Sequence, residues 1–313
     1  MRIGIGIGEI ALGQLDGMKL GLPALIAEAQ RAEGDGFSSV WVANINGFDA
    51  LTALAVLGRE TRTIALGSGV VPTYPRHPFA MAQQAMSTQA ATGNRLLLGI
   101  GLSHKVVIEN MLGLSWDKPF SHMREYLAVL SPLIQKGRVE FRGQQYQVNT
   151  MLKVNGAEPC PILVAALAPK MLALAGQVAD GTVTWMTGPK TVRDHVAPRI
   201  NDAASAAGRP KPRVVVLLPV AVTENVDAAR VSAAKRYAVY GTLPSYRAML
   251  DREGAQGPAD VVIVGDEAAL ARQLDELAQA GATDFVASPF PVGEDKAASV
   301  ERTRAALLAY MKR

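Results

Sequence analysis

The chain has 313 residues, 49% of them hydrophobic and 19% charged, which gives it a sizeable core and sets it apart from disordered chains. Its net charge of +4 is scattered, concentrating only in GRPKPR at 208–213 and the C-terminal YMKR; neither is interleaved with aromatics, so no nucleic-acid partner is expected. The apolar runs fall far short of the roughly 20 residues that cross a bilayer, the N-terminus lacks the parts of a signal peptide, and the single cysteine, Cys160, allows no internal disulfide. A cytoplasmic protein without membrane contact is the reading.

Short apolar strands alternate with amphipathic helical stretches along the chain. The strands are expected at Arg2–Ile7, Ser38–Ala43, Ile64–Gly69, Arg95–Gly101, Ile162–Ala166, Thr182–Trp185, Val214–Val220 and Phe285–Ser288. Most are continuous apolar runs, as parallel strands covered on both faces require. Helices are expected at Leu22–Glu33, Phe48–Glu60, Pro78–Ala91, Pro169–Ala179, Val192–Ala206, Val226–Tyr240 and Glu267–Ala280. Several start near a proline or stop at a glycine, which is the usual polarity of helix ends. Repeated β-then-α units predict a (β/α)8 TIM barrel, with a doubly wound open sheet as runner-up. No G-x-G-x-x-G opens a helix after a strand, so the dinucleotide-binding version of that sheet lacks support. The chain reads as a single domain, 1–313, interrupted by an insertion over about 113–160 between the fourth and fifth strands. The insertion holds a helix at Met123–Gln135 and a hairpin, GRVEFRGQQYQV, turned at Arg142–Gly143, and it can roof a pocket.

Barrel sites lie at the C-terminal strand ends. After the first strand come Gly8 and Glu9, after the second ANIN at 43–46, and after the third GSGVVPTYPRHP at 67–78. The next three ends carry GLSHK at 101–105, ALAPK at 166–170 and MTGPK at 186–190. These ends hold no metal-ligand set, no nucleophile elbow and no carboxylate pair. Glu9 is a lone acid near the N-terminus, more often a solvated turn residue than a catalytic one. The ends are rich in glycine and alanine instead. Such residues let a ligand approach the main chain, or they allow tight strand packing. A pocket of backbone and small groups with no nucleophile points to a bound cofactor that carries the reaction. Lys170 and Lys190 each follow a helix-starting proline, a place suited to phosphate or simply to a solvated lysine. His104 stands where a proton donor would, or is merely exposed. Trp41, Trp116 and Trp185 read as packing residues.

The order and spacing of GFSSVWVAN, ALGSGVVPTYPRHPFAMAQQAMSTQAATGNRLLLGIGLS, MREYLAVLSPLIQKGRVEFRGQQY, PILVAALAPKMLALAGQVADGTVTW and LDELAQAGATDFVASPF resemble the luciferase-like family of flavin- and deazaflavin-dependent barrel enzymes, and within it the coenzyme F420 branch. The resemblance implies a non-proline cis peptide at Gly69–Val70 that bulges toward the cofactor ring, with Val71 following. It implies cofactor contacts from Asn44, from Gly101, Leu102 and Ser103, and from the backbone of Ala166, Leu167 and Ala168 to the phosphate, with Lys170 and Lys190 nearby. Members acting on sugar phosphates carry Asp-His where this chain has Asn44-Ile45 and a glutamate where His104 stands, so that reaction is not expected. His104 becomes the candidate catalytic proton donor. The paired glycines often found after the fifth strand are here Leu167-Ala168, so the phosphate is expected to sit differently. The implied activity is hydride transfer between coenzyme F420 and a small organic substrate, as a reductase using the reduced cofactor. The alternatives are an FMN-dependent monooxygenase of the same family and a non-catalytic cofactor-binding protein. The resemblance also implies a homodimer.

Overall fold

A computed structural model of the protein describes residues 1–8 and 21–313; Glu9 lies outside the described residues. The strands are β1 (Arg2–Ile7), β2 (Ser39–Val42), β3 (Ala65–Ser68), β4 (Val71–Pro72), β5 (Leu96–Gly101), β6 (Arg138–Arg142), β7 (Gln147–Met151), β8 (Ile162–Val164), β9 (Gly181–Trp185), β10 (Arg213–Val222), β11 (Ile263–Gly265) and β12 (Asp284–Pro289). The main helices are α1 (Leu22–Gly34), α2 (Ala50–Glu60), α3 (Pro78–Ala91), α4 (Pro119–Lys136), α5 (Pro169–Val178), α6 (Ala197–Ala206), α7 (Val226–Arg236), α8 (Pro244–Glu253), α9 (Glu267–Gln279) and α10 (Lys296–Met311). The fold is a (β/α)8 barrel whose strands are β1, β2, β3, β5, β8, β9, β10 and β12. No described helix is long and apolar enough to cross a membrane.

The chain divides into two compact units, Met1–Trp41 with Val183–Arg199 and Arg213–Arg313, and Val42–Thr182 with Ile200–Pro212. In the first, β12 lies between β1 and β10, in parallel register Ile3 to Phe285 and Val216 to Phe285. All six residues of β12 are buried, because a parallel strand flanked by helices has no wet face. Its first residue, Asp284, is 2% exposed. Arg2 and Arg213 both pair with it, and Thr283 Oγ1 donates to it. Burial alone would raise the Asp284 pKa, but Arg213, then Thr283 and Arg2, hold it below its ordinary value. Arg304 of α10 ties that helix to α1 by pairing with Glu28 and Asp35, and it lies over the Phe37 ring.

In the second unit β5 pairs with β3 on one side and β8 on the other, and β8 pairs with β9. At the start of β5, Arg95 donates to the carbonyls of Gly58, Thr61, Ile64 and Thr92. One guanidinium thereby serves the acceptors left open where α2 ends.

The eight expected strands are all present, with ends shifted by a few residues. The hairpin departs from expectation: β6 and β7 are joined by the four residues Gly143–Tyr146 rather than by a tight turn at Arg142–Gly143. The wider turn exists because the Glu125 carboxylate of α4 accepts the N–H groups of Gln144, Gln145 and Tyr146 at 3.2, 2.8 and 3.3 Å. The helix expected from Phe48 begins at Ala50, since Asp49 caps it by accepting from Thr52 N. The one expected from Val192 begins with the short turn Pro189–Thr191 and passes through a π-helical turn at Val192–Val196 before α6. The stretch expected as Val226–Tyr240 breaks after Arg236 and is followed by α8. Strands β4 and β11 and helices α8 and α10 carry no expectation from sequence.

Replacing Asp284 by Ala would leave Arg213 and Arg2 facing each other without the carboxylate. Because both arginines keep partial exposure, the loss is about 2 kcal/mol rather than the full penalty of a buried pair, read as a lower urea midpoint.

Candidate cofactor site at the strand ends of the second unit

Strand β3 does not simply continue into β4. Gly67 is opposite Leu97 and Val71 is opposite Ile100, so four steps along one strand face three along the other. The surplus residue makes a bulge. The Gly69–Val70 peptide bond within it is cis, as the family resemblance implies. Ser68, fully buried, bridges the interrupted ladder: its hydroxyl donates to Gly99 O and accepts from Gly99 N, both at 2.9 Å. Gly69 N donates to Val42 O, and beyond the bulge Thr73 N donates to Gly101 O, both at 2.9 Å.

The glycines opposite are required by the bulge. A Cβ on Gly99 would lie 2.0 Å from Ser68 O, and one on Gly101 would lie 2.7 Å from Val70 Cγ2 and 3.1 Å from Ala165 Cβ. Of the two roles open to these glycines in sequence, the structure gives both close packing against the bulge. Val70 keeps a half-exposed side chain while Val71 is buried.

The other candidates sit on neighbouring loops. Asn44 Oδ1 accepts from Ala50 N at 2.9 Å, which fixes the loop after β2 to the start of α2. Leu102 and Ser103 follow Gly101, half-exposed, with Ser103 at φ 67°. His104 is half-buried, its carbonyl accepts from Val107 N and Ile108 N, and burial pushes its imidazole pKa below 6.5. After β8, Ala166 is buried, Leu167 half-exposed and Ala168 exposed. Helix α5 then starts on Pro169 with no side chain capping it and Lys170 exposed in its first turn. Lys190, in the first unit, has a different setting. The N–H groups of Lys190 and Thr191 donate to the Glu253 carboxylate at 3.1 and 2.7 Å, so that helix start already holds a negative group. The structure thus brings Gly69, Val70, Val71 and Gly101 together and places Lys190 on a separate carboxylate.

The stiff loop after β4 has structural duties. Arg76 pairs with Asp49, and His77 caps α3 by accepting from Phe79 N at 3.2 Å. An aromatic group escaped the sequence reading. The His122 ring stacks on Tyr74 with centroids 4.0 Å apart and planes 2° from parallel, and Tyr74 stacks on Trp116 at 5.0 Å. With Tyr146, Ser115, Lys118 and Gln144, the Tyr74 and His122 rings line an open cleft of about 430 Å³. Its available signal was the i, i+4 pair His122 and Tyr126 on one helix, which by itself reads as core. Of the tryptophans, Trp41 is buried and donates to Ser39 Oγ, Trp185 packs edge-on to Tyr237 and Tyr240, and Trp116 is the one that stacks.

Burial lowers the pKa of His122 as well as that of His104, partly offset for His122 by the Gln145 side chain. An unfolded chain therefore takes up protons at these two positions before the folded one does. Stability falls as pH drops from 7 through the ordinary imidazole value of about 6.5, and His122→Phe flattens part of that slope in urea titrations at stepped pH. Separately, Gly99→Ala forces a methyl against the Ser68 carbonyl and lowers the unfolding free energy by about 3 kcal/mol, read as a fall in urea midpoint.

The family model described as luciferase-like monooxygenase matches residues 7–309. A 5,10-methylenetetrahydromethanopterin reductase from Methanolobus tindarius is 30% identical over 239 residues, covering 76% of this chain and 73% of that protein. One from Archaeoglobus fulgidus is 29% identical over 310 residues, covering 86% and 90%. The structure of the coenzyme F420-dependent tetrahydromethanopterin reductase from Methanopyrus kandleri superposes with a TM-score of 0.75 at 23% identity, covering 99% of this chain and 98% of that one. A monooxygenase from Streptomyces bottropensis superposes with a TM-score of 0.79 at 19% identity, covering 100% and 99%. The two structures share the fold. With the family match running over nearly the whole sequence, the chain belongs to the luciferase-like monooxygenase family.

Proposed function

We propose that this protein is an oxidoreductase that binds coenzyme F420 and uses its reduced form to reduce a small organic substrate at an activated C=C, C=N or C=O bond. The observation that carries the reading is the bulge at Val70. It projects a branched apolar side chain from the strand ends, backed by two glycine positions that admit no larger residue, and so offers firm support to one face of a planar ring. The uncapped start of α5 beside Lys170 suits the phosphate of such a cofactor. The curated relatives near 30% identity are named as reductases, which favours the deazaflavin over FMN and oxygen.

When bound, the deazaflavin supplies hydride from C5 of its ring. The protein's own residues do the rest. Val70 would support the ring and Leu102 and Ser103 would flank it, while Asn44 holds the loop after β2 in place. The Ala166–Ala168 backbone and Lys170 receive the phosphate. His104 donates the proton that completes reduction. Because burial lowers its pKa, the ring is mostly neutral at pH 7 and its acid form grows as pH falls.

Titration of the purified protein with F420 and separately with FMN, followed by cofactor fluorescence, tests the assignment. Micromolar or tighter F420 binding with weak FMN binding supports it. Stronger FMN binding moves the protein to the monooxygenase reading, and tight F420 binding with no substrate-dependent oxidation of F420H2 makes it a carrier. Lys170→Ala is expected to weaken F420 binding about fivefold, near 1 kcal/mol. Reductive kcat is expected to rise from pH 8 to pH 6, and His104→Ala is expected to remove that rise and lower kcat about a hundredfold.

A further inference from the structure

We infer that His122 is a positioning residue for the Val70 bulge, and that the β6–β7 hairpin acts on the site through it; the link to the cofactor rests on the function proposed above. His122 is 4% exposed and reaches the far end of the bulge from α4. Its Nε2 lies 3.0 Å from Thr73 Oγ1, and Thr73 is itself fully buried. Thr73 closes the bulge: its N–H donates to Gly101 O, three residues beyond Val70. A histidine there is a stiff polar strut, with one ring nitrogen on the hydroxyl of the residue that ends the β4–β5 pairing.

The strut is held from behind. The other ring nitrogen, Nδ1, faces Tyr146 Oη at 3.4 Å, and the ring is clamped flat against Tyr74 at 4.0 Å. Tyr146 cannot drift, because Glu125, three residues along α4 from His122, accepts the Tyr146 N–H together with those of Gln144 and Gln145. A Cβ on Gly143 would meet Glu125 Oε2 at 2.3 Å, so the turn residue is chosen to let that carboxylate in. The sequence of contacts therefore runs from hairpin turn to Tyr146, to His122, to Thr73, to the bulge, within a single unit. Were His122 only a filler of core volume, an aromatic hydrocarbon would serve as well, and its two nitrogens would have no reason to meet hydroxyls at both ends.

The test uses His122→Phe, which keeps the ring and its stack but removes both nitrogens, and His122→Gln, which restores a hydrogen-bonding group. Thr73→Val removes the other partner and serves if His122→Phe does not fold. Two quantities are read on the full chain: amide hydrogen exchange at Thr73, compared with amides of β10, and the F420 dissociation constant by fluorescence. His122→Phe, or Thr73→Val, is expected to speed exchange at Thr73 at least tenfold with β10 unchanged and to raise the F420 dissociation constant five- to tenfold. His122→Gln is expected to return both to within about twofold of the parent. Unchanged exchange at Thr73, or a uniform rise across β10 as well, overturns the inference, as does faster exchange with an unchanged dissociation constant. If the parent protein binds F420 too weakly to titrate, the function proposed above fails, and the exchange comparison alone decides whether His122 holds the bulge.

Discussion

One surplus residue between Ser68 and Val71 shapes everything around the candidate site. A parallel ladder offers each backbone group one partner per step, so adding a residue on one strand leaves groups to be satisfied some other way. Ser68 answers with its hydroxyl, which serves both the N–H and the C=O of Gly99. Gly69 finds Val42 and Thr73 finds Gly101. Space is the other difficulty, and Gly99 and Gly101 remove the two β-carbons that would have collided with the displaced strand. The half-exposed Val70 side chain is the product of that arrangement.

Charge is handled with similar economy. At the N-terminal strand ends of the first unit, Asp284 gathers Arg2 and Arg213. The helical turn at Pro189 receives the Glu253 carboxylate on its N–H groups. Helix α5, like α1, α4 and α8, starts without a side-chain cap, and it carries an exposed lysine in its first turn. Asp49, Asn225, Asp266 and Asp295 close the starts of α2, α7, α9 and α10, whereas the first-turn N–H groups of α5 have no such side chain on them. This contrast separates Lys170 from Lys190, which look alike in sequence because each simply follows a helix-starting proline.

The aromatic group around His122 shows how a polar contact gains meaning from its surroundings. His122, Tyr146 and Thr73 are far apart in the chain, and each has a dull local explanation: a helix residue, a hairpin residue, a loop residue. Packing places all three on one line behind the bulge, and the Glu125 carboxylate fixes the hairpin that carries Tyr146. The insertion between the fourth and fifth barrel strands is therefore tied into the strand-end architecture, beyond any part it has in roofing a pocket.

From the amino-acid sequence by itself one can determine the eight barrel strands, because parallel strands buried on both faces are written as unbroken apolar runs. Most helix limits follow too, since proline and glycine act through their own dihedrals. The family, and with it the cis bond at Gly69–Val70, was legible from the order of whole blocks. What stayed hidden was everything decided by a partner distant in sequence. The hairpin turn widened because a carboxylate on α4 took its N–H groups, and Asp49 became a cap only once Thr52 was seen to donate to it. Whether Gly99 makes room for a ligand or for a strand, and whether His122 is filler or strut, depends on which atoms lie within a few ångströms. Spacing along the chain carries no such information, and only the tertiary structure decided both.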